Sequence, residues 1–177
     1  MGPGAEIILP QVLDQQQLNE LDKYVRKIGQ LYEAPADGNW SFWARSEELI
    51  PEHLKKEEPC LLHVNYHTDN DDSGFELAQI ERDLGYHPNS FIGIWCGCNG
   101  DLDHWQMAKI CYQLTGMFGG HINFVGNLAP YMRDSRINGK LIAIKMNDIE
   151  NDPNTYHICD REFLKNWMSS DNFRMIK

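Results

Sequence analysis

The sequence predicts an α+β fold in which about four helices pack on a mixed, largely antiparallel sheet. Segments with alternating apolar and polar residues, typical of strands, are interleaved with segments whose apolar residues recur every three or four positions, typical of helices. Short links between strands in the C-terminal half favour antiparallel pairing. With 177 residues and a 42% hydrophobic content, the chain is expected to form a single domain over residues 1–177.

The first segments predict a strand followed by a helix. Residues 5–10 are apolar and end in a proline, as a short strand does. Asp14 and Gln17 have the spacing of a capping box, so a helix is expected to begin there and to end near Gly29. Its apolar stripe consists of Leu18, Leu21, Val25 and Ile28. The Gly2-Pro3-Gly4 segment is left out of the fold argument, because residues 1–4 could be disordered or an expression remnant.

The middle of the chain predicts two strands and a helix. Residues 39–44 alternate in a way that buries one face, and residues 60–66 form a second strand. The charged segment 46–58 is interpreted as a loop or a short helix. A helix is predicted over residues 75–84 and ends at Gly85.

The C-terminal half predicts the remaining elements. Residues 90–96 are apolar on both faces, which is typical of a central strand covered on both sides. A helix from Leu102 to about Met117 ends at Gly119 and Gly120. A last helix begins after Asp160. The remaining strands are predicted at residues 122–125, 141–146 and 156–159.

The charge balance narrows the classes of partner. Twenty-six acidic and 16 basic residues give a net charge of −10. This balance argues against binding to nucleic acids and to anionic membranes, both of which need clustered Lys and Arg. It favours a protein partner with a basic surface, whose approach the charge would accelerate.

The termini and cysteines predict a cytoplasmic protein. The N-terminus lacks the pattern of a signal peptide, and no apolar run is long enough for a membrane span. The number of cysteines is odd and most lie in apolar runs, so buried, reduced thiols are expected. These cysteines are Cys60, Cys96, Cys98, Cys111 and Cys159.

The loop from Asp69 to Gly74 is a candidate calcium site. Its first, third, fifth and sixth positions match a calcium-binding loop, but the twelfth position is Ile80 where a bidentate glutamate is required. A solvated acidic loop that precedes a helix is therefore the favoured interpretation. The same loop is the densest patch of negative charge and the first candidate for docking a basic partner.

Cys96, Cys98, Asp103 and His104 are a second candidate for chemistry. Thiolates and imidazole bind zinc well, but the sequence shows no second ligand pair, so neither a metal nor a cofactor is predicted. In a strand, Cys96 and Cys98 would point to the same face as two small core residues. A nucleophilic cysteine–histidine pair would need a third, orienting group, which the sequence does not identify.

Two further motifs favour structural roles. His104, at the start of a helix beside Asp103, could act as a general base but is more often structural at such a position. The glycines between Gly116 and Gly120 follow a helix, whereas a phosphate-binding loop precedes one. No catalytic residues are predicted, and the chain is interpreted as a binding protein. The predicted partner-binding residues are Asp69, Asp71, Asp72, Glu76, Glu81, Trp43 and Tyr66.

Three stretches together resemble a small bacterial family of unknown function whose members look like immunity proteins of polymorphic or contact-dependent toxin systems. These stretches are Cys98–His104, Phe118–Leu128, and Tyr156–Asp160 continuing through Phe163, Leu164, Trp167 and Phe173–Lys177. They consist mostly of glycines and core aromatics. The resemblance implies a fold and a partner, a cognate toxin such as a nuclease or nucleotide-modifying effector, and no catalytic residues.

Three functional hypotheses follow. The leading one is an immunity protein that neutralises a toxin by covering its active site, with aromatic anchors among Trp40, Trp43, Tyr66 and Tyr86. The second is a small cytosolic enzyme that uses His104 with Asp103 or Cys98. The third is a calcium-stabilised binding module. The sequence does not determine the oligomeric state.

Overall fold

A computed structural model describes residues 2–33, 35, 38–68, 74–132, 137–145 and 155–176. The strands in these ranges are β1 Gly4–Leu9, β2 Gly29–Leu31, β3 Asn39–Ala44, β4 Leu61–His67, β5 Ser90–Cys96, β6 His121–Asn123, β7 Leu141–Lys145 and β8 Thr155–Cys159. The helices are α1 Gln15–Ile28, α2 Gly74–Leu84, α3 Asp101–Phe118 and α4 Arg161–Trp167. Short 3-10 turns lie at Glu47–Leu49, Glu52–Leu54 and Ala129–Tyr131.

The described strands form one eight-stranded sheet in the order β2-β3-β4-β5-β1-β6-β8-β7. Each of the pairs between them is antiparallel. The predicted α+β class with four helices and a largely antiparallel sheet is confirmed. β1, the first strand along the chain, lies between β5 and β6 in the interior of the sheet.

Local signals define the helix ends as the sequence predicts. The Asp14 side chain accepts from the Gln17 amide, and the Gln17 side chain accepts from the Asp14 amide, so the capping box of α1 is confirmed. The Asp160 side chain caps α4 by accepting from the Phe163 amide at 2.7 Å. Gly119 ends α3 with a positive φ of 78°, a conformation that glycine adopts without the steric cost of a Cβ.

The structure adds one strand and changes two predicted segments. β2 is only three residues long, and it directly follows α1, where the sequence predicts only the end of the helix. The charged segment after β3 contains two 3-10 turns. β6 ends at Asn123, before the predicted end, because Val125 has a φ of 53° that a strand cannot accommodate.

One face of the sheet packs against α1, α3 and α4 and forms the main core. Successive residues of a strand point to opposite faces, so alternate positions of β1, β3, β4 and β5 face this core. We call this side the covered face. Its strand residues include Ala5, Ile7, Leu9, Trp40, Phe42, Ala44, Leu62, Val64, Ile92, Ile94 and Cys96, all buried.

The described residues cover only half of the opposite face. Over β1, β5, β7 and β8, a second core forms against α2 and the segment that follows it. Its residues are Ile8, Ile80, Phe91, Ile144, Tyr156 and Ile158, with Leu84, Tyr86 and Ile142 partly buried against them. We call the other half, which comprises the outward positions of β2, β3 and β4 with Trp95, Gly93, Gly4 and Glu6, the open face.

The segment before β1 is part of this fold. Gly2 and Pro3 are buried, and the Pro3 carbonyl accepts from the Cys96 amide at 3.1 Å. A Cβ on Gly2 would overlap the carbonyl oxygens of Cys96 and Cys98, so the chain passes too close for a larger residue. The helices in the described ranges are all too short or too polar to cross a membrane.

Candidate functional site

The open face exposes aromatic side chains on a rigid sheet. Trp95 on β5 is 43% exposed and Tyr32, just after β2, is 60% exposed. Trp43 on β3 is partly exposed and packs edge-on against Tyr32, with ring centroids 5.3 Å apart. Trp43 and Trp95 lie on the two strands that flank β4. Trp43 is opposite Leu61, and Trp95 is opposite His63, the next residue of β4 on the same face. The open face therefore carries exposed aromatic side chains on paired strands.

Two glycines let Trp95 lie flat on this face. A Cβ on Gly93, the neighbouring position of β5 on the same face, would overlap the Trp95 ring. A Cβ on Gly4, opposite Trp95 on β1, would lie 3.3 Å from Trp95 Cδ1. The indole thus lies over backbone on both strands, and one of its faces remains open to solvent.

Polar pairs occupy the rest of the open face. Ser41 Oγ and His63 Nδ1 lie 3.0 Å apart across β3 and β4. Asn65 donates to Asn39 on the neighbouring strand. His67 Nε2 lies 3.5 Å from a Glu6 carboxylate oxygen, an ion pair when the imidazole is protonated. Protein-binding surfaces combine aromatic anchors with such polar surroundings.

The structure separates the two predicted aromatic anchors. Trp43 lies on the open face, but Tyr66 faces the opposite side of the sheet, where its hydroxyl accepts from the Leu13 amide at 2.9 Å. Trp40 is 5% exposed and donates from its indole to Asp22 at 2.9 Å. Tyr86 donates to the Ile8 carbonyl at 3.0 Å, and burial raises its pKa. The sequence did not single out Trp95 or Tyr32, which lie beside Trp43.

The structure describes two of the five acidic residues predicted to dock a partner, and these two differ in exposure and pairing. Glu76 in α2 is only 6% exposed, and Glu81 pairs with His87. Asp69, Asp71 and Asp72, together with most of the predicted calcium loop, lie outside the described residues, so both the calcium site and the acidic docking patch stay predictions.

The cysteines differ from the prediction of buried, reduced thiols. Cys60 and Cys98 form a disulfide, with their Cα atoms 5.8 Å apart. Leu62 lies opposite Cys96 in the β4–β5 register, and continuing that register outward places Cys60 opposite Cys98. Cys98 lies beyond the end of β5 and is exposed, so the prediction of two core residues on one strand face is wrong for Cys98. The free cysteines of the described chain are Cys96, Cys111 and Cys159, all buried.

A cluster of ligand atoms lies at this end of the sheet. The sulfurs of Cys60 and Cys96 and a carboxylate oxygen of Asp103 lie within 4.8 Å of one another. Burial, with a further contribution from the Asp103 carboxylate, raises the pKa of Cys96 to about 12. Asp103 Oδ2 accepts from the Gly100 amide at 2.7 Å, whereas Oδ1 is buried with no hydrogen-bond partner among the described residues. We call Cys60, Cys96, Cys98 and Asp103 the cysteine cluster.

His104 is buried at 2% exposure and lines an open cleft of about 760 Å³. Its Nδ1 accepts from the Met175 amide at 3.2 Å, so the neutral ring carries its proton on Nε2, which has no partner in the described structure. Burial also lowers the pKa of His104. A neutral imidazole in this tautomer can donate from Nε2 but cannot accept a proton there, so the geometry does not favour a general base.

The glycines after α3 make a turn as the sequence predicts. Gly119 and Gly120 have positive φ values of 78° and 86°, and a Cβ on Gly120 would overlap the Ile8 carbonyl oxygen. The turn connects α3 to β6 at the C-terminal end of the helix, where the backbone offers carbonyls and not the amides that bind phosphate.

Comparisons with known proteins give one match. The model of a protein family described as a family of unknown function, DUF6368, matches residues 1–177. No curated protein and no solved structure matches the chain.

Proposed function

We propose that this chain, which belongs to the DUF6368 family, is an immunity protein that binds a cognate bacterial toxin through the open face and blocks the toxin's active site. The proposal places the protein in the cytoplasm of a bacterium, where such a toxin would act. It combines the resemblance described above with a surface suited to protein binding.

The observation that carries the proposal is the uncovered half-sheet with Trp43 and Trp95 on it. An apolar surface that a monomer leaves uncovered marks an interaction site when it is contiguous. Tryptophan and tyrosine are enriched among the residues that dominate binding energy, because they bury a large area at a small cost in side-chain entropy. Tyr32, Trp43 and Trp95 are the side chains expected to enter the partner.

The charge of the chain favours a basic protein over other occupants. A net charge of −10 would repel nucleic-acid phosphates and anionic lipid, although aromatic residues on a sheet can also stack on bases. A toxin that acts on nucleic acids or nucleotides has a basic active-site cleft, and an acidic protein that covers such a cleft associates faster at low salt.

Variants of the open face test the proposal directly. The toxin candidate is the product of the adjacent upstream gene, co-expressed with this chain and then purified. Combined Trp43→Ala and Trp95→Ala substitutions are expected to weaken binding by about 2 kcal/mol or more, near thirtyfold in Kd, and to abolish protection of growth. Tyr131→Ala is the matched control, because Tyr131 is 41% exposed but lines the cleft beside His104.

Each outcome of this experiment is informative. Loss of binding in the tryptophan variant but not in Tyr131→Ala supports the open face. The reverse result would place the docking site at the cleft and overturn that assignment. If the wild-type chain neither co-purifies with the upstream gene product nor protects growth, the immunity proposal fails.

An enzyme that uses His104 has weaker support. Cys98, one of its proposed partners, is bonded to Cys60, and Asp103 directs one oxygen to the Gly100 amide. The Met175 amide holds His104 in the tautomer that cannot accept a proton at Nε2.

A further inference from the structure

We propose that the cysteine cluster is a Zn²⁺ site in the reduced protein, with Cys60, Cys96 and Cys98 as thiolate ligands and Asp103 as the carboxylate ligand. The proposal does not depend on the immunity function. It follows from three separate segments that converge at one end of the sheet: the chain before β4, the end of β5 and the first turn of α3.

The sheet register brings the sulfur atoms together. Cys60 precedes β4 and Cys98 follows β5, in positions that face each other across the two strands. The Gly97 amide donates to the Leu61 carbonyl at 3.2 Å, which continues the ladder beyond the end of β5. A Cβ on Gly97 would lie 3.4 Å from Cys60 Sγ, so the chain there passes close to the cluster.

Asp103 supplies the observation that points to a missing ligand. The residue is 4% exposed, its Oδ2 accepts from the Gly100 amide, and its carboxylate also interacts with the Cys96 thiol. Oδ1 is buried without a partner in the described part of the chain, and a carboxylate oxygen of this residue lies within 4.8 Å of two cysteine sulfurs. Buried carboxylate oxygens normally have a donor or a cation, and a metal ion bound between these sulfurs would provide one.

The donor set selects the metal. Calcium and magnesium prefer oxygen ligands, whereas thiolates favour Zn²⁺ among the common divalent ions. Zinc takes four ligands in a tetrahedral arrangement. Cys60, Cys96 and Asp103 supply three ligand atoms within 4.8 Å of one another, and Cys98, which is bonded to Cys60, supplies the fourth once the disulfide is reduced. Asp103 lies in the first turn of α3, where the positive end of the helix dipole favours the negative charge of the ligands. Cys98 is exposed, so an ion can reach the cluster from solvent.

Reduction converts the disulfide into the metal site. The Cys60–Cys98 disulfide takes two electrons and two protons from a dithiol, which is itself oxidised to a disulfide. Cys60, Cys96 and Cys98 then release one proton each as their sulfurs bind Zn²⁺. Burial disfavours the thiolate of Cys96 without a metal, and the bound ion compensates for that cost. In the reverse exchange, a disulfide accepts the two electrons and is reduced to a dithiol, the Cys60–Cys98 disulfide re-forms, Zn²⁺ leaves and Cys96 regains its proton.

Metal titration of the full chain tests this site. The protein is reduced, freed of metal with a chelator, and titrated with Zn²⁺ in competition with a chromophoric chelator, and separately with Co²⁺. We expect one ion per chain, and for Co²⁺ the intense visible bands of a tetrahedral site with a thiolate charge-transfer band. The protein that keeps the Cys60–Cys98 disulfide is expected to bind neither ion at this site.

Ligand and control variants make the test specific. Because loss of even an outer-shell partner costs about 10- to 100-fold in metal affinity, Cys98→Ser and Asp103→Asn are expected to lose at least that much. Cys159→Ala is the control, since Cys159 is a buried free cysteine outside the cluster. Circular dichroism of each variant verifies the fold, and Cys98, which is exposed, can be replaced without disturbing the core.

The proposal is overturned if the reduced wild-type chain shows no tetrahedral thiolate spectrum with Co²⁺. It is equally overturned if Cys98→Ser and Asp103→Asn bind Zn²⁺ as tightly as Cys159→Ala does. A reduced chain that re-forms the disulfide in air but takes up no ion would show that the cluster has a purely structural role.

Discussion

The two faces of strand β3 differ in what covers them, and the contrast separates the core of the protein from the surface that we propose for binding. Trp40, Phe42 and Ala44 point to the covered face and are buried, whereas Ser41 and Trp43 point to the open face and retain solvent exposure. The two sets alternate along the six residues of β3. Helices pack over the first set, whereas the second set is not covered by a helix of the described chain. Burial of the first set stabilises the fold. The second set lies on the proposed binding surface.

α2 explains why the open face is confined to one half of the sheet. The helix covers Ile8, Phe91, Ile144 and Ile158 on the same side of the sheet as Trp95. Beyond it, Trp95 is the exposed position of an otherwise buried β5. The prediction that β5 is central is confirmed, and its double covering holds except at this position. Part of a core and part of the proposed binding surface thus share one side of one strand.

The largest expected effect compares adjacent residues of β3. Phe42→Ala, on the covered face, should lower the free energy of unfolding by about 3–5 kcal/mol, because it leaves a cavity under a side chain that is fully buried. Trp43→Ala should cost clearly less, about 1–2 kcal/mol, because its ring is partly in solvent already. Urea denaturation of the two variants measures the difference. Equal losses would mean that the open face is part of the core and would break the comparison.

A smaller effect on stability is expected at Gly93, because the Trp95 ring occupies the space that a side chain at Gly93 would fill. Gly93→Ala should cost about 1–3 kcal/mol, because the new methyl group displaces the Trp95 ring from the sheet. In a Trp95→Ala background, the same substitution should cost almost nothing, since no ring is left to displace. Denaturation of the two single variants and the double variant measures this coupling. A cost of Gly93→Ala that persists without Trp95 would contradict the packing described here.

The smallest expected effect is in the pH dependence of stability. His157 is buried, its Nδ1 accepts from the Leu128 amide at 3.1 Å, and burial lowers its pKa below 6.5. The unfolded chain therefore binds this proton at a higher pH than the folded chain. The contribution of His157 to the free energy of unfolding is therefore complete above about pH 6.5. It decreases as the pH falls from there through the pKa of the folded state.

His157→Asn should flatten this decrease, because an asparagine oxygen can accept from the same amide but does not titrate. Unfolding free energies measured between neutral and mildly acidic pH give the slope. If His157→Asn and the wild type have the same slope, His157 is not the source of the pH dependence.

Much of the fold follows from local sequence signals. The capping residues Asp14 and Asp160 define helix starts, and Gly119 defines a helix end, because hydrogen bonds and backbone conformation within a few residues determine them. The buried face of β3 follows from its alternation of side chains. β2 was missed because three residues are too few to show a periodicity, and pairing with β3 is what orders them.

The candidate sites are less visible in the sequence because they depend on contacts between distant segments. Trp43 was predicted as an anchor from its residue type, but nothing in the sequence distinguished it from the buried Trp40 and the inward-facing Tyr66 as members of one surface. Trp95 lies in an apolar run that predicted burial. The available signal was Gly93, two residues before it, because a glycine inside a strand often marks a place where another group approaches the backbone closely.

The sequence by itself determined the fold class, most element boundaries, the acidic charge and the alternating burial of the strands, because each depends on neighbours in the chain or on composition. The tertiary structure decided the strand order, which half of the outer face α2 covers, and the meeting of Cys60 with Cys96, Cys98 and Asp103. All three depend on contacts between segments that are distant in the chain. The cysteines meet because of the register between β4 and β5, and the sequence at the end of one strand does not specify which residues will lie opposite it.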